Sequence, residues 1–272
     1  MDTRPIGIFD SGLGGLTTLK RLTELMPQED IIYLGDTGRV PYGSRSRETI
    51  IKYARQDAAF LMKHNIKAMV IACNTVCSAA SQYEIFGHSC EIPVFEVVSA
   101  PAKAASLQTK NGKIGVIGTK ATIRSGAYET AIKKFSPDLH VYSAACPLFV
   151  PLVEDGMISG DDAAALSIAE RYLADLRRSE ADTLLLGCTH YPLLRDVISK
   201  VMGPGVVLID SGAETAKMVS DELAAMQKLS PVSAPAVIKY FVTDSIEGFE
   251  TLASRFLESD VHGMVEQVAL EQ

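Results

Sequence analysis

Short runs of apolar residues alternate with longer stretches that are apolar only every third or fourth position, and this alternation persists through most of the chain. Runs at 5–9, 30–35, 68–72, 93–97, 113–118, 139–144, 183–187 and 206–209 read as strands; 16–26, 47–64, 161–178 and 193–202 carry helical spacing. Strands that are apolar at successive positions are buried on both faces, which requires helices above and below a parallel sheet. The expected class is therefore α/β with mainly parallel sheets. The 272 residues suit one large or two medium domains.

An internal echo favours two. Gly7-Ile8-Phe9-Asp10-Ser11 is matched by Gly115-Val116-Ile117-Gly118-Thr119, and each is followed by a cysteine word, Ala72-Cys73-Asn74-Thr75 and Gly187-Cys188-Thr189-His190. Asp10 and Cys73 lie 63 residues apart, Gly118 and Cys188 70 apart. The expected arrangement is pseudo-symmetric: a second domain at 99–209, entered by a crossover at Ser99-Ala100-Pro101, and a discontinuous first domain of 1–98 plus 210–272. Asp210-Ser211-Gly212 repeats the first turn and opens the returning segment, in which 229–236, rich in Pro and Ser, reads as a solvated loop. Ligands of open α/β sheets sit beyond the carboxyl ends of strands, where Asp10, Thr119, Cys73 and Cys188 fall. Two facing units bring them into one interdomain cleft.

Cys73 and Cys188 stand 115 residues apart in matching strand-to-helix contexts, which suggests two thiols facing one substrate from opposite sides. At a reference pKa near 8.5 only about 3% of a thiol is ionised at neutral pH, and a helix N-terminus is expected to lower that pKa. Cys77, Cys90 and Cys146 read as small core hydrophobes. The glycine-rich turn Asp10-Ser11-Gly12-Leu13-Gly14-Gly15 leaves amides free for an anion. It lacks a dinucleotide or P-loop pattern, however, and Asp10 would repel a phosphate. An amino acid fits better, with Asp10 facing the ammonium and amide or hydroxyl donors on the carboxylate. His190 is placed to assist Cys188; Glu154, by base rates alone, is a solvated loop acid. The cysteines and His190 lack zinc spacing, so neither metal nor cofactor is expected.

A net charge of −7 argues against a nucleic-acid surface, and no apolar run approaches the ~20 residues of a membrane span. The start Met1-Asp2-Thr3-Arg4-Pro5 has no signal-like apolar segment, so reduced thiols and a cytoplasmic location are expected.

In order and spacing, Ile8-Phe9-Asp10-Ser11-Gly12-Leu13-Gly14-Gly15-Leu16, Leu34-Gly35-Asp36-Thr37 with Val40-Pro41-Tyr42-Gly43, Ala72-Cys73-Asn74-Thr75 and Leu186-Gly187-Cys188-Thr189-His190-Tyr191-Pro192 closely resemble the bacterial glutamate racemases. These belong to the cofactor-independent aspartate/glutamate racemase superfamily. The resemblance implies Cys73 and Cys188 as the two acid/base groups, assisted by Asp10, Glu154 and His190. It implies a substrate site of Asp10, Ser11, Tyr42, Gly43, Asn74, Thr75, Thr189 and His190, joined by Thr119 from the strand-end argument. It further implies interconversion of L- and D-glutamate for peptidoglycan synthesis, and a homodimer. Activation by a peptidoglycan precursor is not expected, because the chain begins at its first strand. The alternatives are an aspartate racemase or related superfamily enzyme, and a non-catalytic amino-acid-binding or gyrase-regulating protein. The residues speak neither for nor against a contact with DNA gyrase.

Overall fold

The computed structural model describes residues 1–87, 90–232 and 235–271, which form two all-parallel sheets flanked by helices. The chain begins with β1 (Ile6–Asp10), α1 (Leu16–Leu25), β2 (Ile31–Gly35), α2 (Arg47–Met62), β3 (Ala68–Ile71), α3 (Asn74–Ala79), α4 (Gln82–Phe86) and β4 (Val94–Glu96). A second series follows: α5 (Ser99–Gln108), β5 (Lys113–Gly118), α6 (Lys120–Ser125), α7 (Ala127–Phe135), β6 (His140–Ala145), α8 (Phe149–Glu154), α9 (Ala163–Arg178), β7 (Thr183–Gly187), α10 (Arg195–Met202) and β8 (Val207–Asp210). The chain then returns through α11 (Ser211–Ala225), β9 (Ile238–Val242), α12 (Ile246–Leu257) and β10 (Val265–Gln267). The first sheet has the order β10-β9-β2-β1-β3-β4 and the second β6-β5-β7-β8.

Every residue of β1, β2, β3 and β7 is buried, the burial that their largely apolar sequences require, with Asp10 and Thr183 the polar members at strand ends. The helices are set by caps and stripes. Ser46, Asp162 and Ser245 each accept a backbone N–H from the first turn of α2, α9 and α12. Along α9, Ala165, Ala169, Leu173 and Leu176 form one buried stripe facing the second sheet's side of the core.

Two details go beyond the sequence reading. The crossover at Ser99-Ala100-Pro101 is the first turn of α5, which leads from β4 to β5, and the Glu96 carboxylate accepts the Val98 and Ser99 N–H groups there. The first sheet also gains β9 and β10, strands that alternation did not reveal. In the 229–236 segment, residues 233 and 234 lie outside the described residues.

Register decides what meets at the strand ends. Asp10 pairs with Gly35, and Phe9 with Ile71, so the turns after β1, β2 and β3 emerge at one level. Gly118 pairs with both Ala145 and Gly187, which does the same for the turns after β5, β6 and β7. The helix α11 packs along α1, and one continuous apolar cluster runs from Leu19 and Tyr33 through Ala216 and Phe249 to Leu184 and Phe149. The carboxyl ends of both sheets consequently open onto a shared cavity.

Candidate active site

That cavity has a volume of about 390 Å³, within the range of small-molecule sites. Its wall contains Asp10, Ser11, Tyr42, Gly43, Cys73, Asn74 and Thr75 from the first sheet's loops, and Thr119, Glu154, Cys188, Thr189 and His190 from the second's. All the residues singled out from the sequence are therefore brought together. Sequence reasoning missed Val40, Pro41, Ser44, Lys120, Pro147, Val150 and Pro151, which complete the wall. Proximity to a motif signals some of them: Val40 and Pro41 precede Tyr42, and Lys120 follows Thr119. Pro147 and Val150 carry no chemical signature.

The turn after β1 is built by close approach. Asp10 accepts the Gly12 N–H at 3.1 Å, and Tyr33 donates its hydroxyl hydrogen to the Gly12 carbonyl at 2.9 Å. At Gly14 a Cβ would lie 1.9 Å from Thr189 Oγ1 and 2.7 Å from His190 Nδ1. Only glycine lets this turn seat against the second cysteine turn, and Thr17 Oγ1 fastens the contact by donating to the Thr189 carbonyl at 3.0 Å. The same segment recurs at Asp210, whose carboxylate accepts the Gly212 N–H at 2.9 Å.

Cys73 occupies the N-cap position of the six-residue α3 and is 4% exposed. The expectation of a lowered thiol pKa fails here: burial, with the nearby Asp10 carboxylate, pushes it up to about 12. The hydrogen bond to Ser11 Oγ at 3.4 Å opposes this weakly, and with the thiol protonated Cys73 is the donor. Cys188 differs from expectation in another way. It precedes a 3₁₀ turn at Tyr191–Leu194, and the α-helix begins only at Arg195, seven residues further on.

The neighbour of Cys188 whose pKa moves is His190. The ring donates through Nε2 to Glu154 Oε1 at 3.2 Å and meets Phe256 edge-on at 5.5 Å between centroids. Burial favours the neutral ring, but the adjoining Cys188 sulfur and Glu154 carboxylate outweigh it and hold the pKa up to about 10. Glu154 is thus not a free loop acid. It ends α8, and Arg255 donates to its backbone carbonyl at 3.1 Å.

Further donors converge on the cavity. Thr75 and Thr119 share a hydrogen bond at 3.2 Å across the two halves, and the buried Asn74 Nδ2 has no protein partner among the described residues. Cys77 and Cys146 donate weakly to backbone carbonyls of Ile71 and Ala144, Cys90 to that of Ile92, and none of the three lines the cavity. Among the described residues no cluster of His, Cys, Asp and Glu has metal-site geometry, and no helix is long and apolar enough to cross a membrane.

The profile of the Asp/Glu/hydantoin racemase family matches residues 14–219. The glutamate racemase of Geobacter metallireducens is 47% identical over 271 residues, covering 100% of this chain and 98% of that protein. The crystal structure of glutamate racemase from Francisella tularensis in complex with D-glutamate superposes with a TM-score of 0.90 at 39% identity, covering 100% of this chain and 99% of that one. The glutamate racemase isoform RacE1 from Bacillus anthracis gives 0.93 at 38% identity, covering 99% of each. Two parallel sheets whose strand ends share one cavity, and full-length similarity of this degree, lead to one assignment: the chain belongs to the Asp/Glu/hydantoin racemase family, among its glutamate racemases.

Proposed function

We propose that the protein interconverts L- and D-glutamate by a two-thiol mechanism in which Cys188 and Cys73 act on opposite faces of the α-carbon, without a cofactor. The observation that carries this reading is that both sulfurs line one small cavity in unlike surroundings. Cys73, buried beside Asp10, begins as a neutral thiol. Cys188 adjoins the His190 imidazole, held protonated beside that sulfur and Glu154, and the mechanism requires this second thiol to start as the base. Cys188 thiolate takes the α-proton of L-glutamate; the electron pair remains on the α-carbon as a carbanion; Cys73 gives its proton to the other face. D-glutamate leaves with the two sulfurs in exchanged protonation states, which equips them for the reverse reaction.

The carbanion forms beside a carboxylate, so its stabilisation must come from preorganised dipoles in a closed site. The unpartnered Asn74 amide, Thr75, Thr119, Gly43 and Ser11 are suited to the carboxylates, and Asp10 to the ammonium. His190, paired with Glu154, adjoins Cys188. We further assign residues 1–98 plus 210–272 and 99–209 as two domains around this cleft, a homodimeric and cytoplasmic enzyme as the working form, and supply of D-glutamate for peptidoglycan as its role.

The test is racemisation of L-glutamate by purified protein in deuterium oxide. Wild-type protein is expected to produce D-glutamate labelled at the α-carbon, and Cys73→Ala and Cys188→Ala each to lose racemisation. Full racemisation by either variant defeats the two-thiol mechanism. Racemisation of aspartate in preference to glutamate moves the assignment to the aspartate enzymes.

A further inference from the structure

Asp57 does not line the cavity, yet it lies on α2 with no exposed surface, directly against the hydroxyl of Tyr42, which does. We propose that Asp57 is a positioning residue that carries a hydrogen and donates it to Tyr42, thereby fixing the substrate-facing turn at residues 40–44. The argument follows from counting hydrogens. Tyr42 Oη contacts Asp36 Oδ2 and stands 3.0 Å from Asp57 Oδ2. A phenol has one hydrogen to give. Donated to Asp36, it leaves the Tyr42–Asp57 contact as two facing lone pairs unless Asp57 supplies the second hydrogen.

The remaining contacts agree with this count. Arg39 donates to Asp36 Oδ2 at 2.6 Å and to Asp57 Oδ1 at 2.9 Å, and its guanidinium lies 4.1 Å from the centre of the Tyr53 ring. Thr243, at the end of β9, donates to Asp36 Oδ1 at 2.8 Å. The cluster then holds one guanidinium and one carboxylate, which is neutral, as befits a site where both acids are fully buried. The ionisable groups facing Asp57 are Asp36, Arg39 and Tyr42 from the turn after β2, and Asp10 from the end of β1. Burial first, and then the Asp36 charge, hold its carboxyl well above the ordinary carboxylate range. What Asp57 fixes borders the cavity: a Cβ on Gly43 would stand 3.3 Å from Thr119 Cβ, so this turn is also where the two halves touch beside it.

The proposal rests on the racemase reading for its kinetic arm and is independent of it for its stability arm. Asp57→Asn keeps both hydrogen bonds, its amide N–H facing Tyr42 and its oxygen facing Arg39; Asp57→Ala keeps neither. With L-glutamate as substrate, the alanine variant should raise KM about tenfold, and the asparagine variant should return it to within about twofold of wild type. The sign of the stability effect is distinctive. A carboxyl with a raised folded pKa costs the fold progressively more as pH climbs above its unfolded value of 3.8, whereas an amide has no such cost. The melting temperature of Asp57→Asn should therefore exceed that of wild type by a margin that grows from pH 5 to pH 9.

An asparagine variant destabilised as much as alanine overturns the proposal, since Asp57 would then be an ionised partner of Arg39. So does an alanine variant that melts early but keeps its KM, which marks a purely structural role. Wild-type protein that fails to racemise glutamate refutes the racemase reading alone, and the melting series still decides the state of Asp57.

Discussion

Replacing Gly14 with alanine strikes the seam where the two cysteine-bearing halves meet. The added Cβ would sit 1.9 Å from Thr189 Oγ1 and 2.7 Å from His190 Nδ1, against an ordinary contact of at least 3.4 Å. Thr189 must therefore retreat by roughly 1.5 Å and the ring by about 0.7 Å. Thr189 is able to rotate, but the ring is confined by Glu154 on one side and Phe256 on another. Overpacking of this kind costs about 1–3 kcal/mol, which for a chain of this size is a loss of several degrees in melting temperature. The larger effect is on catalysis: displacing a reacting group by about 1 Å costs on the order of 10²-fold. Gly12→Ala is the matched control, because its Cβ would meet only Val40 at 3.5 Å. Measured by the polarimetric rate of glutamate racemisation, Gly14→Ala should lose about 10²-fold in kcat and Gly12→Ala less than about threefold. Equal rates in the two variants would refute the claim that this seam positions the Cys188 turn.

The ion pair between Lys67 and Glu29, both fully buried at 2.5 Å, also ties down the N-terminus through the Asp2 carbonyl and residue 230 through its N–H. Lys67→Met strands a buried carboxylate and should cost about 3–5 kcal/mol in urea unfolding, most of it recovered in Lys67→Met/Glu29→Leu; a double variant no better than the single one contradicts this. His190 has a folded pKa raised to about 10 from 6.5, so its charged form stabilises the fold fully below 6.5 and progressively less as pH rises towards 10. The melting-temperature gap between wild type and His190→Gln should accordingly shrink from pH 6 to pH 10, and a gap that widens would show the sign to be wrong.

The strands β1, β3 and β7 were the plainest to read: they are buried throughout and mostly apolar because helices cover both faces, and the turns at their ends carry the Asp10 and cysteine words that marked the site. The partly exposed β6 was legible as well, from its run of β-forming residues. By contrast β10, with Val265-Glu266-Gln267 at a sheet edge, lacks that burial and has no pattern to read. Register carried the site residues together, but their electrostatics came from tertiary contacts. Cys73 was expected to gain acidity from a helix start; burial and Asp10 outweigh so short a helix. The glycines after Asp10 suggested free amides, whereas Gly14 is needed for what stands opposite it, 175 residues further on at Thr189. Glu154 looked like a surface acid because the ring it contacts lies 36 positions away. Spacing along a chain does not record such pairings.

The backbone passes between the sheets at two places, and both joints are short. At the outward passage the Glu96 carboxylate grips the start of α5; at the return, Asp210 closes β8 directly onto α11 with no intervening loop. The helices that leave these joints pack on each other, so the joints are neighbours. The placement of one sheet against the other is therefore tied to the packing of α5 on α11. A substitution that loosens this helix pair should therefore reshape the cavity shared by both sheets while altering none of the residues that line it.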